Sequence, residues 1–316
     1  MIYLGVDLGG TNIKAAAVME DGRILSETFL PTMLPRSAEA VTEDIVNAMG
    51  QSLEKIGAVW ADVAGAGVGC PGTVDDESGM ILYSNNLGWA HFAMRAFLKE
   101  RTGISVRLAN DANAAALGES IAGCAQGAHS AVVLTLGTGV GSGVVLNGKM
   151  LSGYTGAASE LGHMVILADG EMCTCGRRGC LESYASASAL IRMTREAMTA
   201  YPKSILHELA KREGGISGKT VFLAKELGDA AGTWTVERYI HFLSIGVANV
   251  VNIFFPEIVA LSGGVANQGD RLLEPLRQEV WPQVFGRVRP ERRVRIECCT
   301  LGYKAGVIGA ALMSRG

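Results

Sequence analysis

Three cysteines fall within eight positions, Cys173, Cys175 and Cys180, in the stretch CTCGRRGC. His163 lies ten residues before the first of them, and Glu160 and Glu182 flank the segment. Three thiolates and one imidazole make a closed tetrahedral zinc set, which leaves no coordination position for chemistry. Gly176 and Gly179 give the backbone freedom to wrap an ion. The metal expected here is therefore structural, and its work would be to pin the loop that carries Glu160 and Glu182. The same residues also suit three reduced core thiols, or a redox pair with a spare. Redox motifs favour CxxC, which the cluster lacks.

Two glycine-rich turns occupy matched positions, DLGGT at 7–11 and TLGTG at 135–139. Neither carries bulk where backbone N–H groups would be exposed, so each could aim donors at an anion, with threonine hydroxyls adding more. Asp7 beside such a turn is the usual arrangement for holding Mg²⁺ directly or through water. Lys14 could add positive charge or be a solvated side chain. Read without a ligand, both turns are tight hairpins. A third turn, LSGGV at 261–265, ends a strand and would let a base or ribose approach the backbone. Asp111 falls where a strand ends and a helix begins, in LANDANAAALGE. There it is either an N-cap or a general base at the carboxyl end of a strand, where α/β proteins gather ligands. Two motif matches fail on context. GGISGKT at 214–220 has Glu213 where a P-loop needs its first glycine and follows a helical pattern. GVGCPG at 67–72 is not followed by the helix a dinucleotide site requires.

The elements that must position these residues follow from periodicity and turn chemistry. Residues 2–7, 13–19 and 24–30 read as three strands, with a hairpin at Asp21-Gly22. A helix over about 37–56, a strand over 63–70, a turn-rich stretch from Pro71 to Gly79, a helix over about 92–101, a strand over 105–108 and a helix over 112–122 follow. The opening theme then returns at 131–135 and 142–146, with a hairpin at Asn147-Gly148. The chain therefore reads as two related halves with a ligand between them. Helices dominate 186–251; strands at 258–261 and 294–298 and a helix over about 303–313 close the chain. The apolar stretch 239–255 carries His241, Ser244, Asn249 and Asn252, so a buried helix is expected, not a membrane span. Its 316 residues are ample for two lobes with their own cores. A net charge of −3 and the lack of a long Lys/Arg run argue against nucleic acid or membrane partners. Seven cysteines and no expected signal peptide point to a reduced, cytoplasmic protein.

Taken together, these features resemble the ROK family of sugar kinases and repressors, within the superfamily of sugar kinases, heat-shock protein 70 and actin. The resemblance covers residues 2 to about 312. Its most specific element is GH, nine residues, then CxCGxxGCxE, present from Gly162 to Glu182. DLGGT, CPG at 70–72, NDANAAALGE at 110–119 and LGTGVGSG at 136–143 match in order. The resemblance implies an α/β, two-lobed actin-like ATPase (ribonuclease H-like) fold, with a duplicated βββαβαβα core and a zinc-binding loop. It implies a smaller lobe of 1–118 plus about 302–316 and a larger lobe of 119–301. It further implies an ATP- and Mg²⁺-dependent hexose kinase acting on the C6 hydroxyl, glucose being the expected acceptor, and a homodimer or homotetramer. By position, Asp111 resembles the catalytic base. Gly72, Asn86, Asn110, Glu160, His163 and Glu182 match sugar-binding positions. Asp7, Gly9, Gly10, Thr11, Asn12, Lys14, Gly137, Thr138 and Gly139 match the phosphate turns, and Gly263 and Gly264 the adenosine region. His163, Cys173, Cys175 and Cys180 match the zinc ligands, with one ring nitrogen of His163 on the metal and the other on a sugar hydroxyl. One position departs: the family usually has glycine before the sugar-binding glutamate, and here it is Ser159. That bears on which hexose is chosen. N-acetylmannosamine, N-acetylglucosamine, fructose and allose stay open as acceptors, and polyphosphate as donor. A non-catalytic sugar sensor and a zinc-stabilised structural protein are readings of other classes. The DNA-binding module of the repressor branch is not expected.

Overall fold

The computed structural model describes residues 1–286 and 289–315. The chain divides into two compact units, one of Met1–Ala131, Gly143–Ser159 and Thr300–Gly316, the other of Val132–Ser142 and Glu160–Cys299. The expected larger lobe of 119–301 differs from this division, in which the first unit also holds 119–131, 143–159 and 300–301. One helix runs unbroken through residue 119, and Gly143 packs so close to it that a Cβ there would lie 2.7 Å from the Ala112 carbonyl oxygen.

The first unit is built on a five-stranded sheet of order β3-β2-β1-β4-β8. Its strands are β1 (Ile2–Leu8), β2 (Asn12–Met19), β3 (Ile24–Pro31), β4 (Val63–Cys70) and β8 (Val106–Asn110). The hairpin strands run antiparallel, while β4 and β8 run parallel to β1. Period-two alternation sends Leu4, Val6 and Leu8 into one core with Val41, Ile45 and Met49 of helix α1 (Ala38–Glu54). Tyr3 points the other way, into a second core with Val307, Ile308 and Ala311 of helix α10 (Lys304–Leu312). Within the stretch Pro71 to Gly79, expected to be turns, lies β5 (Thr73–Asp75), which with β6 (Met80–Ser84) and β7 (Trp89–Phe92), two strands not expected from the sequence, forms a small sheet in that order. Its strands are too short to show a period, which is why sequence reading sees only turns. Helices α2 (Met94–Thr102) and α3 (Asp111–Ala122) follow β7 and β8. α10 lies against α3 through small residues, Ala114 and Gly118 meeting Ala305 and Gly309.

The second sheet repeats the arrangement, β11-β10-β9-β12-β13. Its strands are β9 (Ser130–Leu136), β10 (Val140–Leu146), β11 (Lys149–Met150), β12 (Ile258–Ser262) and β13 (Arg295–Cys298). In each sheet the first strand in sequence is central, with its hairpin on one side and the later strands on the other. This is the topological mark of a duplicated βββαβαβα core. Between β11 and β12 lie the metal-loop segment and helices α4 (Glu182–Ala185), α5 (Ala187–Ala200), α6 (Leu206–Arg212), α7 (Gly218–Glu226) and α8 (Ala230–Phe254); α9 (Asp270–Val280) precedes β13. The apolar stretch at 239–255 forms the second half of α8 and its C-cap Phe255; most of 239–251 is buried, while His241, Asn252, Ile253 and Phe255 are exposed, and the fully buried Tyr239 donates its hydroxyl to Ala185 O. Among the described residues no helix is long and apolar enough to cross a membrane.

Candidate active site

In the first unit the DLGGT turn joins β1 to β2. The Gly9 N–H donates to Asn12 O at 2.9 Å, and Thr32 holds the turn from outside, its hydroxyl donating to Gly9 O at 2.7 Å. Gly10, Thr11 and Asn12 are exposed. A Cβ at Gly10 would come no nearer to another group than 3.9 Å, from Asn86 O, so a ligand can approach this backbone closely. Asp7 and Lys14 face each other across the β1–β2 register, and the Lys14 ammonium is 2.9 Å from Asp7 Oδ2. Lys14 is thus tied to the carboxylate at the mouth of the turn and is not simply solvated.

Asp111 is the first residue of α3, at the carboxyl end of β8. The N-cap is its neighbour. Asn110 Oδ1 accepts from the N–H groups of Ala112 at 2.9 Å and Asn113 at 3.4 Å, while its Nδ2 donates to Gly72 O at 3.0 Å. The capping alternative for Asp111 therefore passes to Asn110. One Asp111 oxygen, Oδ1, takes the Ala112 N–H at 2.9 Å. Below it Cys70 is buried; burial, with the charge of Asp111 adding to it, pushes that thiol up and keeps it neutral. Gly72 has φ of 108°, and a Cβ there would lie 2.8 Å from Ser84 Cα, so the CPG turn requires glycine. Asn86 is exposed in the loop between β6 and β7. The unit thus brings Gly72 to Asn110 and Asn86 to Gly10.

In the second unit the TLGTG turn joins β9 to β10, with the Gly137 N–H donating to Gly139 O at 3.0 Å and Thr138 exposed. The LSGGV turn lies against it. Ser262 Oγ donates to Thr135 Oγ1 at 2.9 Å, and a Cβ at Gly263 would fall 2.9 Å from Leu136 N. A Cβ at Gly137 or Gly264 would meet open space. Beside Gly264 is a cavity of about 550 Å³ lined also by Ser217, Gly218, Lys219, Asn267, Gln268 and Arg271. The GGISGKT stretch is no P-loop, since it caps α7 through Ser217, but it forms one wall of that cavity. Its only sequence signal was the glycine-rich helix start.

Glu160 is exposed and opens a one-turn 3₁₀ helix over Leu161–His163. Ligand atoms of His163, Cys173, Cys175 and Cys180 all lie within 4.8 Å of one another. His163 Nδ1 is 3.5 Å from Cys173 Sγ, and the Cys175 and Cys180 sulfurs are 3.7 Å apart. A tetrahedron with Zn–S near 2.3 Å and Zn–N near 2.0 Å has edges of about 3.5–3.8 Å, so the donor set fits zinc. Nδ1 is the metal-facing nitrogen, which leaves Nε2 for another partner. Gly179 has φ of 83°, and a Cβ would lie 2.8 Å from the Leu167 carbonyl carbon, so the loop closes only with glycine there. Burial pushes the Cys180 thiol up to about 12, with hydrogen bonds to Cys175 and Cys173 adding to it; the backbone N–H of Arg177 lowers that of Cys175. Glu182 does not stand alone beside this loop: Oε2 accepts the Val140 N–H at 3.0 Å and Oε1 the Thr174 hydroxyl at 2.6 Å.

The ROK family model matches residues 3–316. A glucokinase of Halalkalibacterium halodurans is 37% identical over 97% of this chain and 93% of its own length. A glucokinase of Thermotoga maritima is 37% identical over 98% and 95%. The crystal structure of a ROK family glucokinase from Streptomyces griseus, in complex with glucose and AMPPNP, superposes with a TM-score of 0.80, at 35% identity over 100% of this chain and 99% of that one. The fold is accordingly α/β, of the two-lobed actin-like ATPase class, with duplicated sheets. Within that class, the chain belongs to the ROK family.

Proposed function

We propose that this protein is an ATP-dependent hexose kinase of the glucokinase type, a phosphotransferase that moves the γ-phosphoryl group of ATP to the C6 hydroxyl of glucose. The observation that carries this reading is Asp111, a carboxylate at the end of β8 whose neighbour Asn110 takes over the capping. The Streptomyces griseus relative holding glucose and AMPPNP supports the choice of both substrates.

Asp111 accepts the proton of the C6 hydroxyl as that oxygen attacks the phosphorus and the bond to the leaving ADP oxygen breaks. Asn110 orients its neighbour and, with Gly72, Asn86, Glu160, His163 and Glu182, holds the remaining hydroxyls. His163 uses Nε2 for this, since Nδ1 faces the thiols. Backbone N–H groups of Gly9, Gly10, Thr11 and Asn12, and of Gly137, Thr138 and Gly139, receive the phosphates, and Lys14 adds positive charge. Gly263 and Gly264, with the adjoining cavity, receive the adenosine. Asp7 is the residue that would hold Mg²⁺ bound with ATP, and that ion would supply positive charge for the transferring group. His163, Cys173, Cys175 and Cys180 would hold zinc, which would pin the loop carrying Glu160 and Glu182. The protein works in the cytoplasm as a homodimer or homotetramer.

A panel of hexoses with ATP and Mg²⁺, scored by ADP formed, tests the reading. Glucose should give the highest kcat/KM. A folded, zinc-loaded protein that binds hexose yet forms no ADP above the sugar-free blank would instead be a sugar sensor.

A further inference from the structure

The Thr174 hydroxyl makes a 2.6 Å hydrogen bond to Glu182 Oε1. Thr174 sits between two metal-facing residues, Cys173 and Cys175. The other oxygen of the same carboxylate accepts the N–H of Val140, the residue that follows the TLGTG turn. A Cβ at Gly139 would lie 3.1 Å from Glu182 Cδ, so the carboxylate rests directly on the turn. Cys173 Sγ is itself 3.5 Å from Oε1. One side chain therefore ties the centre of the metal loop to the glycine turn, wholly within the second unit.

The consequence follows from what each end needs. With Cys173 and Cys175 both bound to a metal, the backbone of Thr174 is fixed and its hydroxyl stays at hydrogen-bond distance from Glu182. The turn is closed by backbone bonds, Cys173 N–H to Arg177 O at 2.8 Å and Gly176 N–H to Cys173 O at 3.0 Å, but Cys175 at its tip is exposed, so a metal would add the restraint on that side chain. A carboxylate released from Thr174 can swing about Val140. With glycine at 139, no side chain stops that charge, already against the turn, from moving further onto the N–H groups, where it would oppose a phosphate. Each carboxylate oxygen keeps a second lone pair, so the link does not prevent Glu182 from also meeting a sugar hydroxyl.

We propose that Thr174 and Glu182 are positioning residues that couple the metal loop to the second glycine turn, so that zinc occupancy raises affinity for the phosphates of the nucleotide. This rests on the reading that the turn holds the nucleotide's phosphates. Isothermal titration of Mg·ADP into the full chain, zinc-loaded and after chelation, tests it for wild type, Thr174→Val and Thr174→Ser, with bound zinc measured beside each titration. Zinc-loaded Thr174→Val should keep its zinc and bind Mg·ADP about 10- to 100-fold more weakly, the worth of one hydrogen bond to a charged group. Thr174→Ser restores the hydroxyl and should lie within about twofold of wild type by the same reckoning. Chelation should cost the wild type a larger factor than Thr174→Val, in which the link is already cut. The coupling is refuted if zinc-loaded Thr174→Val binds like wild type, if chelation costs both proteins the same factor, or if Thr174→Val loses its zinc, which would make Thr174 part of the metal site. A zinc-loaded wild type that binds no Mg·ADP at all sinks the kinase reading, and this proposal with it.

Discussion

Gly309 lies in α10, outside every residue proposed to touch a substrate, and its substitution probes how Asp111 is held. A Cβ at Gly309 would stand 2.7 Å from the Ala114 carbonyl carbon and from Gly118 N of α3, and closer still to the Ala114 oxygen. These are backbone atoms, so no side chain can rotate aside. The Ala114 oxygen is the nearest obstacle, so reaching an ordinary contact of about 3.2–3.5 Å requires the two helices to part by roughly 1.5 Å or more. Ala114 is one turn after Asp111, so that movement carries the carboxylate along. Gly309→Ala gains about 1 kcal/mol of helix propensity. It loses about 1–3 kcal/mol or more to overpacking, and here the upper end applies because the obstruction is main chain. The expected net loss of about 2 kcal/mol or more lowers Tm by a few degrees. The same displacement should lower turnover by about 10- to 100-fold, since a misplacement near 1 Å costs about 10². Thermal unfolding followed by circular dichroism, and ADP release coupled to a dehydrogenase, measure the two effects. A variant with the wild-type Tm would show that the helices separate freely. One with lowered Tm but wild-type turnover would show that α10 does not set the position of Asp111.

Asp111→Asn should fold normally, bind hexose and lose at least about 10²–10⁴ in turnover; near-normal turnover removes Asp111 from its role. Cys175→Ser should bind less than one zinc per chain and raise the Kd for hexose, and a variant retaining both metal and affinity shows that the cluster is not a metal site. Because burial raises the Cys180 thiol to about 12, the metal-free protein holds that proton throughout the usable pH range and zinc must displace it. Zinc affinity should therefore rise with pH, by about tenfold per unit for each proton released, and competition with a chelator between pH 6 and 8 should show it; a flat profile contradicts the thiolate set. Ser159 has φ of 70°, a left-handed conformation that costs a non-glycine residue about 1–2 kcal/mol, and its hydroxyl donates to Leu151 O at 2.9 Å. Ser159→Ala keeps the strain and loses the bond, so it should be less stable than Ser159→Gly by about 1 kcal/mol in urea unfolding, and the reverse order refutes the assignment.

The sequence was sufficient wherever the chemistry is local. Glycine turns between alternating apolar runs announced β1–β2 and β9–β10, because a hairpin is closed by residues adjacent in the chain. The spacing of Cys173, Cys175 and Cys180 announced a clustered donor set for the same reason, and the structure brings His163 to them. The usual glycine at position 159 also has a physical cause, the left-handed backbone there, which no pattern of side chains reveals. Tertiary structure decided what depends on residues distant in the chain. It made Asn110 the cap and Asp111 the first helical residue, through a bond from Asn110 to Gly72 across 38 positions. It showed that α3 and α10 require glycine at 118 and 309, since only packing brings their backbones into contact. And it tied Glu182 to Val140, 42 positions away, by a hydrogen bond from the backbone, whose partner is fixed by folding and not by residue type.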